Sequence, residues 1–334
     1  MKKAFDSEKY LRIQKEIVSD LVANPSDVWC IEVGGKLIQD RHAARVLPGF
    51  DEDSRFEFVR DMSDSCDVIM VVSAKDIARR RIRGDFKISY DDETFRSIAE
   101  LAERGLHISH IAISRMDDEI KSDVLVINFI ERIKISGYTY SIHRDIEKYS
   151  LGEISEEDLE ASEQIIRSKK KVLVISPGGG SGKFGICMNL LYQCMKQGLQ
   201  PHYFSIGAFP LYDLAITHPL NLAYIAATAD FSDTLVNDPD KENSVVTERE
   251  IQNFQLLKKL SCFFDVEGKH LREIHSASDM CVSLLSKGII DDEEAQKEAA
   301  AEIARRYIRY KFELQRGEEK QETVDAVKSI LDSL

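Results

Sequence analysis

Short apolar runs rich in Val and Ile recur along the chain at 28–33, 67–72, 107–114, 138–143, 172–176 and 202–206. Runs of this length and composition predict strands. Helical spacing fills the gaps between them. Phe95, Ile98, Leu101 and Ala102 fall on one helical face, with Asp92 ahead as a cap and Gly105 as a stop. A further helix is predicted from Ser155, where Ile154 and Leu159 stand at staple positions and Asp158 lies near the positive end. Strands alternating with helices predict an α/β fold, with a mostly parallel sheet and helices on both faces.

The strand signal fades after Phe209. Helices are predicted over 219–231, 247–264, 279–286 and 292–312, with a polar helix from Gln321. Within 292–312, Ala295, Ala299, Ile303, Tyr307 and Ile308 make one stripe. The acidic, turn-rich stretch 147–157 is the candidate boundary. It would separate an N-terminal α/β domain, 1–150, from a 151–334 unit carrying a glycine loop and the helical region, unless one sheet continues across it.

The 334 residues are 43% hydrophobic, enough for a sizeable core, and carry a net charge of −13. Such a charge repels phosphate backbones and anionic lipid, so neither nucleic acid nor a membrane surface is an expected partner. No apolar run has membrane-spanning length, and the start of the chain turns acidic at once. A cytoplasmic protein is expected. Six cysteines lie scattered without a CxxC pair and read as reduced thiols. Cys187 and Cys194 share one helical face, which favours core packing over metal binding.

The segment from Lys171 to Leu191 carries the most chemistry. A strand runs into Gly178, Gly179, Gly180, Ser181, Gly182 and Lys183, then into a helix with Phe184, Cys187, Leu191 and Met195 inward. Glycines allow a tight turn whose N–H groups converge, and a helix N-terminus and a lysine add positive charge. That suits phosphate. The sequence departs from the G-x-x-x-x-G-K-[ST] pattern at both ends: Pro177 replaces the first glycine, and Phe184 the hydroxyl residue that helps hold Mg²⁺. A bare turn, or a site for another anion, is the competing interpretation.

A second glycine turn, Gly34-Gly35-Lys36, precedes Arg41 and Arg45, which are four apart on a potential helix. Lys36, Arg41 and Arg45 could grip the other end of a ligand, or pair with Asp51, Glu52 and Asp53. His42 between the arginines reads as structural. The basic run Arg79-Arg80-Arg81-Ile82-Arg83 reads as a solvated loop. Further on, His218 and Asn221 begin a helix, and Asp230 and Asp233 lie near its end. Acids there are unfavourable by roughly 0.3–1 kcal/mol each, so a bound cation or ordinary turn formation must account for them. His218, Asp230 and Asp233 are the catalytic candidates, with Mg²⁺ as a possible co-ligand and Asp238 in reserve. No HExxH, G-x-S-x-G or kinase signature occurs.

Several of these segments together resemble one bacterial family. They are Gly34-Gly35-Lys36-Leu37, the stretch from His42 to Phe50, Arg83-Gly84-Asp85, Pro177-Gly178 with Gly180-Ser181-Gly182-Lys183, and His218-Pro219-Leu220-Asn221 running on to Asp230. Ser278-Asp279-Met280 and Ile290-Asp291-Asp292-Glu293 fit as well. The resemblance is to the family of domain of unknown function 1846. It implies an α/β fold and a bacterial, cytosolic setting, and implies no activity. Members of that family are longer, with a further C-terminal subdomain. Their pattern after the loop lysine resembles Met-Ala-Thr, where this chain has Phe184-Gly185-Ile186.

The expectation is a protein that binds a nucleotide or phosphometabolite, with both glycine turns on one edge of the sheet. Phosphoryl transfer or hydrolysis is one outcome. A non-catalytic sensor or oligomeric scaffold using the same pocket is the other.

Overall fold

The computed structural model describes residues 2–35, 37–38, 41–83, 87–145, 153–229, 234–264, 271 and 274–334. Its strands are β1 (Val28–Val33), β2 (Cys66–Ser73), β3 (Ile82–Arg83), β4 (Ile88–Ser89), β5 (His110–Met116) and β6 (Tyr140–Arg144). They continue with β7 (Lys171–Ile175), β8 (Pro201–Ile206), β9 (Leu235–Asn237), β10 (Val245–Thr247) and β11 (Cys281–Val282). Seven of them form one sheet in the order β11-β8-β1-β7-β2-β5-β6. Every neighbouring pair in it is parallel. β3–β4 and β9–β10 are small antiparallel hairpins.

Helices α1 (Ser7–Leu21), α2 (Arg41–Val46), α3 (Ser54–Ser63), α4 (Ala74–Ala78), α5 (Tyr90–Glu103) and α6 (Val124–Ile135) come from the first half of the chain. The second half supplies α7 (Glu156–Glu160), α8 (Lys183–Lys196), α9 (Pro219–Ala227), α10 (Glu248–Phe263), α11 (Asp292–Gln315) and α12 (Gln321–Asp332).

All eight residues of β2 are buried, because the sheet is covered on both faces. Its alternate residues enter different cores. Val68, Met70 and Val72 meet Phe56, Ile98 and Phe129 of α3, α5 and α6. Ile69 and Val71 belong to the core built on Ile186, Leu190 and Leu257 of α8 and α10. A third core joins α9, α11 and α12.

The strands follow the sequence pattern within a few residues, and the differences are instructive. Asp92 is not the cap of α5. The helix starts earlier, at Tyr90, which is buried with its hydroxyl accepting from Ser73 N at 3.3 Å. Asp91 and Asp92 instead take Arg132 of α6 at 2.8 and 3.0 Å. The helix expected from Ser155 is the short α7, capped by Ser155 as expected. The stretch 279–286 is not a helix: it holds β11 between two 3-10 turns. Pairing of Cys281 with Ser205 and Val282 with Ile206 decides that, and local spacing carries no sign of it. On α11 the buried stripe is Ala295, Ala299, Ile303 and Tyr310, and Ile308 is 54% exposed.

Residues 147–152 of the candidate boundary lie outside the described residues. Strands from either side of it interleave: β7 pairs with both β1 and β2. The chain leaving β1 reaches β2 on one side of β7, and the chain leaving β7 reaches β8 on the other side of β1. Their first long helices, α3 and α8, cover opposite faces. That reversal opens a crevice beyond the carboxyl ends of β1 and β7.

Candidate functional site

Both glycine turns lie in this crevice. Gly34 continues the ladder, its N–H donating to Ile206 O at 2.9 Å, and a Cβ there would come 3.3 Å from that same oxygen. Gly182 caps α8 with φ 87°, and a Cβ on it would stand 3.0 Å from Ser114 Oγ. Only glycine meets both demands at 182. The Ser114 hydroxyl donates to Ser181 O, tying the loop to the end of β5. Gly34, Gly35, Gly179, Gly180, Ser181, Gly182 and Lys183 line a single cavity of about 440 Å³. Gly178 is not among its lining residues, and its carbonyl accepts from Ser176 Oγ at 2.7 Å.

The cavity wall offers hydrogen-bond donors. The first N–H groups of a helix have no intrahelical acceptor, and those of α8 start at the cavity wall. Ser181 is buried, and its Oγ has no hydrogen-bond partner among the described residues. Lys183 is only 7% exposed, with Nζ donating to Ser176 Oγ at 3.2 Å. Burial lowers the Lys183 pKa, and the nearby Glu32 pulls it back up.

Other polar groups on the wall escape a reading of the sequence. Arg55 of α3 is buried, and its Nη2 donates to Gly34 O and, at 3.5 Å, to Ile206 O. It clamps the first glycine turn from behind. Glu32, the one incompletely buried residue of β1, accepts from the Tyr203 hydroxyl at 3.0 Å. Burial drives the Tyr203 hydroxyl pKa well up. Glu250 accepts from the Tyr212 hydroxyl and from Thr247 N at 2.8 Å, and desolvation raises its carboxyl pKa. An acid inside an apolar strand was the available signal for Glu32. Arg55 had a weaker one, a cation beside Phe56, Phe58 and Val59.

Part of the remaining wall is aromatic. Phe209, Tyr212 and Tyr224 line it, with the Phe209 and Tyr224 rings parallel to within 5° and 6.5 Å apart. His42 also lines the cavity and meets Phe209 edge-on at 4.9 Å.

Several expected site residues go elsewhere. Arg45 is not among the cavity-lining residues, and its Nη1 lies 3.7 Å from Glu302 of α11. The helix expected around Arg41 and Arg45 forms as α2, but it turns Arg45 toward α11. Lys36, the Arg41 side chain, Asp230 and Asp233 lie outside the described residues. His218 caps α9, its Nδ1 accepting from Leu220 N, and its Nε2 lies 3.3 Å from Asp292. It joins two helices and does not line the cavity. Asn221 is fully buried, and its Nδ2 donates to the carbonyls of Leu211, Leu214 and Ala215. Asp238 accepts from Ser278 N at 2.9 Å and Asp240 N at 3.0 Å. Phe184 lines the cavity but is buried, edge-on to Tyr203 at 5.7 Å. Among the described residues no group of three or more His, Cys, Asp or Glu could hold a metal ion. Cys187 and Cys194 are buried in the core, as their spacing predicts.

Fold and crevice together define a doubly wound α/β protein with a polar cleft at the strand ends. The family described as "Domain of unknown function DUF1846, N-terminal" matches residues 3–334, and the chain belongs to it. The UPF0371 protein of Fusobacterium nucleatum is 36% identical over 340 residues, covering 100% of this chain and 66% of its own length. The UPF0371 protein of Clostridioides difficile is 36% identical over 343 residues, covering 100% and 67%. That of Corynebacterium efficiens is 32% identical over 317 residues, covering 92% and 63%. The chain thus spans about two thirds of the length of these relatives. Among the described residues no helix is long and apolar enough to cross a membrane.

Proposed function

We propose that the cleft binds a small phosphorylated ligand, a nucleotide or a phosphometabolite, through a P-loop-like turn. One observation carries this reading: both glycine turns, the start of α8, Lys183 and the Ser181 hydroxyl, unpartnered among the described residues, converge on one cavity. A phosphate there would accept from first-turn N–H groups, Ser181 Oγ and Lys183, which uses one of its three ammonium donors on Ser176.

Binding is favoured over ATP turnover. Phe184 stands where a hydroxyl would help fix Mg²⁺, and phosphoryl transfer depends heavily on metal and positioning. Chemistry on the ligand would fall to Glu32 and Glu250. Both already accept tyrosine hydroxyls, which supports a sensor as the second reading, since a sensor needs only donors.

A thermal-shift screen of nucleotides and phosphorylated metabolites, with and without Mg²⁺, finds the ligand. Calorimetry then compares variants. Lys183→Ala is expected to cost about 1.5–3 kcal/mol of binding, roughly a 10- to 150-fold rise in Kd. Because Lys183 is buried, Gly179→Glu is the companion variant: a Cβ at Gly179 meets nothing within 4 Å, so the fold tolerates it while a carboxylate enters the anion site. Undiminished binding by both variants would sink the proposal.

A further inference from the structure

The geometry points to a ligand that carries two anionic groups, a diphosphate, with Arg115 holding the second. The inference rests on the phosphate-binding reading above and narrows it. Arg115 follows Ser114 at the end of β5, where the β5–β6 register shifts between Ile113 and Met116. Its φ is 56°, a left-handed conformation that a long side chain adopts only at a cost. The irregularity turns the side chain toward the glycine loop: Arg115 Nε lies 3.6 Å from where a Cβ on Gly182 would stand, and Arg115 lines the cavity.

The guanidinium has no hydrogen-bond or ion-pair partner among the described residues. A half-buried cation without a partner is unfavourable, and five N–H donors in a fixed fork suit a phosphate. Three oxygens of a first phosphate are already matched by first-turn N–H groups of α8, Ser181 Oγ and Lys183 Nζ. The donors of Arg115 therefore address a further group, on the β5 side of the loop. Arg81 reaches the same side, with Nη1 3.9 Å from where a Cβ on Gly180 would stand, although it also pairs with Asp76 at 3.1 Å. The surroundings agree in charge. Arg55, Arg115, Arg144, Lys183 and Arg249 line the cavity against Glu32, Asp145 and Glu250, a positive excess inside a chain of net charge −13. The family resemblance assigns no role to any of these residues.

The test uses the full chain and two simple probes, inorganic orthophosphate and pyrophosphate, titrated calorimetrically in EDTA. The wild type is expected to bind pyrophosphate at least tenfold tighter than orthophosphate. Arg115→Ala should abolish that preference and leave orthophosphate affinity within about twofold, with an unchanged far-UV spectrum and a Tm no lower than the wild type. A pyrophosphate preference that survives Arg115→Ala overturns the assignment. So does an equal loss for both anions, which would place Arg115 on a single phosphate. Orthophosphate binding with no pyrophosphate preference in the wild type overturns the diphosphate alone. If neither anion binds, the phosphate-binding reading falls, and this inference falls with it.

Discussion

Three buried side chains at the far side of the sheet form a polar chain of a kind that ties stability to pH. His110 Nε2 lies 2.7 Å from Ser141 Oγ, which lies 2.7 Å from His143 Nε2. Burial pushes His110 down to about 4, with Asp67 pulling weakly the other way, and pushes His143 down to about 3. His143 Nδ1 has no partner among the described residues, so nothing there stabilises a second proton. The unfolded chain protonates both near 6.5 and therefore binds more protons than the folded one below that pH. Their contribution is complete above about pH 6.5 and is lost as pH falls toward 4 and 3. Between pH 7.5 and 5 the loss is about 2 kcal/mol for each histidine. Urea denaturation across that range should show it, and His143→Asn should roughly halve the slope. An unchanged slope would mean that other groups set it.

Helix ends and helix pairs hold the cleft walls in place. Thr247 and Glu250 form a reciprocal capping box at the start of α10, so the residue that caps the helix also fixes a carboxylate on the cavity wall. Glu302 of α11 is buried and gathers Arg45, Arg305 and Arg306. Arg45 is the outermost of these, with a side chain 45% exposed, and its contact is a peripheral ion pair. Arg45→Ala should leave ligand affinity within about twofold and cost under ~1 kcal/mol of stability. Calorimetry and urea unfolding check both halves. A tenfold loss of affinity would restore Arg45 to the site that the sequence suggested for it.

The interleaving of strands governs how the molecule folds. Within the first 150 residues β1 and β2 have no strand between them, because β7 fills that place from later in the chain. A fragment of residues 1–150 would expose the β7-facing edge of each, together with the face that α8 covers. It is expected to lack cooperative unfolding by circular dichroism. A sharp two-state transition in that fragment would show that the N-terminal segment is a domain in its own right.

The sequence by itself determined the parts governed by neighbours along the chain. Val28–Val33 and Lys171–Ile175 are apolar but for Glu32 and the leading Lys171, and such runs are strands buried on both faces wherever they pair. The turn from Ser176 to Gly182 was legible because a left-handed cap before a helix requires glycine, a local demand. That both glycine turns share one cleft followed from strands of parallel direction. Only the tertiary structure decided the rest. β11 is a strand because Ser205 and Ile206 lie beside it, and nothing in 281–282 says so. His218, which looked catalytic, is a cap whose second nitrogen meets Asp292, far along the chain. Arg55, Glu32 and Arg115 stand on the cavity wall because α3, β1 and β5 end there, and Arg115 faces Gly182 only through the register shift in β5. Periodicity records which side of its own element a residue occupies. A site is set by which elements meet, and that is fixed by pairing and packing between segments that the sequence keeps far apart.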